Sequence, residues 1–112
     1  MMQDKDLFLQ EIGQRISERR KKLCLTQEAL AEKADVTTQF ISYAEAGKRA
    51  MRPENLKKLS EALGVSTDFL LTGTIVEEDL LLLSDKLRNL SPSQFRFIEN
   101  VVDECLTLFT EC

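Results

Sequence analysis

The 112-residue sequence predicts an all-α protein, and three observations carry that reading. Apolar residues recur at spacings of three and four along nearly the whole chain, with no period-two alternation. Only two prolines and four glycines interrupt it, which leaves room for long helices. A hydrophobic content of 43% is enough for a core and excludes global disorder. The pattern divides into residues 1–73, with five helices, and residues 74–112, with two helices joined as a hairpin.

Met1 to Asp6 form a polar lead expected to fray. From Leu7 to Leu23, Phe8, Ile12, Ile16 and Leu23 lie on one helical stripe, while Arg15, Arg19, Arg20, Lys21 and Lys22 make the other side basic. Those cations suit either a solvated face near a helix C-terminus or contact with phosphates. Thr26 is placed to cap the next helix, whose inner face is Leu30, Ala31 and Ala34. Asp35 stands in the following turn and is among the few residues that tolerate a left-handed backbone. Thr37 then caps a helix over residues 37–46 that turns Ile41 and Ala44 inward, with Val36 just ahead of it.

That third helix carries the most information. Thr38, Gln39, Ser42 and Tyr43 point away from Ile41 and Ala44 and are short or planar, uncharged and rich in donors and acceptors. An α-helix fits the DNA major groove, and such side chains read base edges there, so these four are the base-reading candidates. Phe40 either faces the DNA backbone and a thymine methyl or tucks against the first helix. Gly47 ends the helix, and Lys48, Arg49 and Arg52 follow in a loop well placed to hold phosphates on the flank of the site. Pro53 suits a helix first turn, Leu56, Leu59 and Leu63 make that helix's stripe, and Gly64 terminates it. Ser66 caps one more short helix bearing Phe69, Leu70 and Leu71, and Thr72-Gly73-Thr74 reads as the domain boundary.

The tail is leucine-rich. Val76, Leu80, Leu83, Leu87 and Leu90 follow a 4-3-4-3 spacing, widened by Leu81 and Leu82. Ser91, Pro92 and Gln94 then supply an N-cap, a first-turn proline and a capping-box partner. The last helix places Phe95, Ile98, Val102, Cys105 and Phe109 on one face and Val101, Leu106 and Leu108 on a second. Such a hairpin has more apolar surface than it can cover, and self-association is the predicted outlet. Leu80, Leu83, Leu87, Phe95, Ile98, Val102 and Phe109 are the dimerisation candidates. An apolar crevice for a small molecule is the competing reading.

Charge supports this division. The net charge is −4, yet residues 1–73 hold 12 Lys and Arg against 11 Asp and Glu, and residues 74–112 hold 3 against 8. The acidity belongs to the tail, and the front keeps a local basic face. Three cysteines, Cys24, Cys105 and Cys112, are odd in number and widely spaced, which fits neither a disulfide framework nor a zinc site. They read as free thiols, and neither metal nor cofactor is expected. With no histidine, no phosphate loop and no nucleophile beside a base, the chain is not expected to be an enzyme. A charged opening, MMQDKD, and the absence of a long apolar run predict a cytoplasmic protein with no membrane partner.

The run Thr26-Gln27, Leu30-Ala31, Val36, Ile41-Ser42, Glu45 and Gly47 resembles the DNA-binding domain of the phage repressor and Cro family, the XRE-type helix-turn-helix proteins. With Ile12-Gly13 and Arg15-Ile16 upstream and LSEALGVSTDFLLTG downstream, the resemblance covers roughly two-thirds of the chain. It implies a five-helix, lambda-repressor-like domain and a structural lock between Arg20 and Glu45. It also implies that Gln27 contacts a phosphate and braces the third helix; Thr26 and Thr37 are further phosphate candidates, with a cap alone the equal alternative for Thr26. The family usually has glycine where this chain has Cys24, and often where it has Asp35. The hairpin, through Ser91, Gln94, Phe95 and Arg96, resembles that of Sin-type repressors, which assembles the protein and can be captured by an antagonist. Together these imply a sequence-specific transcriptional regulator. The expected form is a homodimeric repressor on an inverted-repeat operator in double-stranded DNA. The alternative is an antitoxin or anti-repressor module whose hairpin binds a second protein.

Overall fold

The computed structural model describes residues 4–110, which form seven α-helices and, among the described residues, no strand. In order they are α1 (Asp4–Lys22), α2 (Gln27–Ala34), α3 (Thr38–Ala46), α4 (Pro53–Leu63), α5 (Thr67–Thr72), α6 (Glu77–Leu87) and α7 (Pro92–Thr110). Contacts divide the chain into two compact units that meet between Leu80 and Leu81, inside α6.

In the first unit, Ile12 and Ile16 of α1, Leu30 of α2, Ile41 of α3, Leu59 and Leu63 of α4 and Leu70 of α5 form one buried cluster, closed by Ala31, Ala34, Ala44 and Ala62. All of these but Ala62 are residues of the sequence stripes, and one stripe residue falls outside the core. Phe8 is 45% exposed, and Leu9 is half-buried in its place. Steps of four residues drift by about 40° around a helix, so a stripe extended back from Ile16 through Ile12 has rotated off the core by Phe8. The helix also starts earlier than the predicted Leu7, since Asp4 and Asp6 in its first turn favour the positive end of the helix dipole. Met1 to Gln3 of the predicted polar lead lie outside the described residues, as does Cys112.

The turns follow their chemistry. Thr26, Thr37 and Ser66 each accept a hydrogen bond from the backbone N–H three residues on, at 3.0, 3.1 and 3.0 Å. Cys24 and Asp35 take up left-handed φ values of 60° and 58°, the backbone that usually selects glycine. Gly13 sets the crossing of α1 and α3, since a Cβ there would lie 2.5 Å from the Glu45 carbonyl oxygen.

Arg15 and Arg19 act on helix ends. Arg15 Nη1 donates to the Leu70 carbonyl at 3.0 Å and Arg19 Nε to the Leu63 carbonyl at 2.8 Å, satisfying acceptors in the last turns of α5 and α4. These two cations are therefore structural and leave the set of phosphate candidates. At the start of α6, Asp79 accepts from Ser66 Oγ at 2.7 Å, Ser66 N at 2.8 Å and Val76 N at 3.0 Å. Burial pushes this carboxyl upward. The bonds from Val76 and Ser66, with the charge of Arg19, outweigh burial and hold it below the usual carboxylate range. The first turn of α6 is thereby tied to the cap of α5.

In the second unit, Ser91 N donates to Gln94 Oε1 at 3.0 Å and Gln94 N to Ser91 Oγ at 3.2 Å, the reciprocal capping box predicted for α7. Leu82, Leu87, Leu90 and Ile98 are half-buried, and no residue of α7 is buried. Leu83 at 55%, Val102 at 48% and Phe109 at 72% stand exposed.

Candidate nucleic-acid interface

The arrangement of α3 begins with its two faces. Ile41 and Ala44 are buried in the core, which turns Thr38, Gln39 and Ser42 to solvent and leaves Tyr43 half-exposed. Thr37 caps the helix and is itself exposed. Phe40 is half-buried against the core and also lines an open cleft beside α3.

The orientation of α3 rests on a buried ion pair. Arg20 Nε donates to Glu45 Oε2 at 2.6 Å and Arg20 Nη2 to Glu45 Oε1 at 3.0 Å, a bidentate pair with side chains only 12% and 8% exposed. Arg20 Nη1 also reaches the Leu25 carbonyl at 2.8 Å, joining α1, the turn before α2 and α3. The hydrogen bond to Glu45 raises the Arg20 pKa despite burial, so Arg20 stays charged. Gln27 Nε2 donates to Glu45 Oε1 at 3.2 Å. Gln27, expected on a phosphate, is thus also the third member of the lock, with its amide oxygen uncommitted.

Thr26 and Thr37 stand exposed at the starts of α2 and α3, each using its hydroxyl as a cap acceptor and retaining a hydroxyl proton to donate. Lys48, Arg49 and Arg52 are exposed after Gly47, whose φ of 68° turns the chain away from α3. Arg49 leaves the loop's flank: its guanidinium lies 4.9 Å over the Tyr43 ring. Gln39 Nε2 in turn donates to the Tyr43 hydroxyl at 3.0 Å. These three residues line the cleft of about 510 Å³ beside α3. Asn55, in the first turn of α4, lines it too and was not singled out from the sequence. Its position directly after the cationic loop was the signal available.

Five helices around one core, with α2 and α3 joined by a tight turn and α3 presenting a polar outward face, define a helix-turn-helix module. Residues 16–70 match the helix-turn-helix family, and the chain belongs to it, with the phage-repressor or XRE type its nearest description. Among curated relatives, repressor protein C2 of Salmonella phage P22 is 39% identical over 71 residues, covering 63% of this chain and 33% of its own. An SPbeta prophage-derived HTH-type transcriptional regulator of Bacillus subtilis is 40% identical over 68 residues, 61% of this chain and 63% of its own. The chain therefore spans less than two thirds of the length of either relative.

Solved structures agree. The P22 c2 repressor in complex with a synthetic operator aligns at a TM-score of 0.56 and 43% identity, over 58% of this chain and 98% of that one. A SinR–SinI protein complex aligns at 0.54 and 31%, over 86% of this chain and 98% of its own. Among the described residues no helix is long and apolar enough to cross a membrane.

Proposed function

We propose that the chain is a sequence-specific DNA-binding transcriptional repressor that works in the cytoplasm as a homodimer, inserting α3 into the major groove of an inverted-repeat operator. The single observation that carries this is the polar outward face of α3, held rigidly by the Arg20–Glu45–Gln27 lock. Thr38, Gln39, Ser42 and Tyr43 read base edges. Gln27, Thr26, Thr37, Lys48 and Arg52 hold phosphates on either side, with Arg49 beside them in the same loop. A relative that forms a complex with a synthetic operator supports this reading. The functional division is a DNA-binding part over residues 1–73 and an assembly part over residues 74–112.

Dimerisation falls to the hairpin. Leu80, Leu83, Phe95, Val102 and Phe109 are exposed in the single chain, and Leu87 and Ile98 are half-buried. Two half-sites need two recognition helices in fixed relation, which a second copy on this apolar surface supplies. A second reading, a module that binds an antagonist or toxin protein, is favoured by the same surface and by the likeness to a SinR–SinI complex. Selection of bound duplexes from a random pool by the purified chain, with light scattering for mass, separates the two. An enriched inverted repeat with a dimer mass supports the repressor. A pool without an enriched site, together with a stoichiometric protein partner, supports the second reading.

A further inference from the structure

Resting on the DNA-reading function above, we propose that Arg49 is a specificity-determining residue that reads a guanine in the major groove, positioned for that task by stacking on Tyr43. Three observations combine. The guanidinium lies 4.9 Å over the Tyr43 ring, which brings it back from the loop onto the outward side of α3. The hydroxyl of the same tyrosine accepts from Gln39 Nε2 at 3.0 Å, so Gln39, Tyr43 and Arg49 form one connected row along the cleft. Among the described residues no carboxylate pairs with Arg49 and no hydrogen bond occupies it, whereas Arg20, Arg15 and Arg19 are all committed within the fold.

Stacking and hydrogen bonding use different parts of a guanidinium. Its face lies on the ring, and its five N–H donors point outward around the edge in a fixed fork. That fork matches the O6 and N7 acceptors of guanine. An arginine fixed on a base-reading tyrosine has lost part of its rotamer freedom before binding, so less is lost when the contact forms. Gln39 and Tyr43 supply the neighbouring reading. The Gln39 Oε1 acceptor, its second N–H and the Tyr43 O–H remain free for an adjacent base pair. Tyr43 is thus the positioning residue for two readers, one through its ring and one through its hydroxyl.

The test is random-pool selection with the 112-residue chain and its Arg49→Lys, Arg49→Ala, Tyr43→Phe and Tyr43→Leu variants, each at two salt concentrations. Arg49→Lys keeps the charge and loses the fork. The expected result is loss of a guanine preference at one position per half-site, with about 5-fold to 150-fold less discrimination there and the remaining positions unchanged. Tyr43→Phe retains that guanine and weakens the neighbouring position. Tyr43→Leu weakens both. A pool from Arg49→Lys that keeps the same motif would overturn the proposal, as would an Arg49→Ala variant that binds all sites uniformly more weakly with a smaller salt slope, the mark of a phosphate contact. A parent chain that enriches no site would overturn the DNA-reading function itself. Circular dichroism of each variant separates these outcomes from misfolding.

Discussion

At the scale of single residues, most of the work is done by side chains that hold others in place. Glu45 accepts from both Arg20 and Gln27 while nearly buried, Arg20 compensating its charge and Gln27 satisfying a further acceptor position. Replacing Glu45 by Gln leaves the Arg20 charge buried without its partner. The expected cost is about 3 kcal/mol, read as a lower urea midpoint, and an unchanged midpoint would remove the lock. Cys24 works in the other direction. Its φ of 60° is strained for any residue with a Cβ, and Cys24→Gly is expected to raise stability by up to about 1 kcal/mol in thermal unfolding. Gly47→Ala should lower stability by more than about 1 kcal/mol, because its φ is 68° and a Cβ there would meet the Gln10 Cα at 2.7 Å.

At the scale of elements, helix ends carry the architecture. Arg15 and Arg19, which the basic stripe of α1 offered equally as a solvated face or as phosphate contacts, cap α5 and α4. The sequence does not decide this, because it does not show which carbonyl lies opposite a given guanidinium. The cap residues Thr26, Thr37, Ser66 and Ser91 were legible because capping is local, acting over three residues. Asp79 joins α5 to α6 across thirteen residues of sequence and was not legible. Its folded carboxyl sits below the ordinary range, so it binds protons less readily than in the unfolded chain. The stability it contributes is fully present above the unfolded pKa of about 3.9 and is lost as pH falls through the lower folded value. Asp79→Asn is therefore expected to be less stable at pH 7 and to lose less on acidification below about pH 4 than the parent chain. Parallel acid titrations followed by circular dichroism check this, and identical pH profiles would count against it.

At the scale of the whole molecule, the proposed homodimer links assembly to recognition. Leu83 is 55% exposed on α6, so Leu83→Arg has little to disturb within one chain and a charge to bury in a dimer. The expected outcome is a shift from dimer to monomer in light scattering. Operator affinity should fall with it by about 100-fold or more, since two linked half-sites gain their strength from simultaneous engagement. A dimer mass retained with normal operator binding would move the interface elsewhere on the hairpin.

The helices, their caps and the contrast between a polar-faced α3 and an apolar tail were legible in the sequence. Each of these is written in spacings of three or four residues or in a residue's own backbone preference. The sequence also pointed to the Arg20–Glu45 pair, though through resemblance and not through spacing. Tertiary structure alone decided which arginines are structural, that Gln27 joins the lock, that Phe8 lies outside the core and that Arg49 rests on Tyr43. For Phe8 the reason is the drift of a four-residue spacing around the helix; the other three share another. A long side chain has several rotamers of similar energy, and only the partner that packing brings within reach, often distant in sequence, selects one of them.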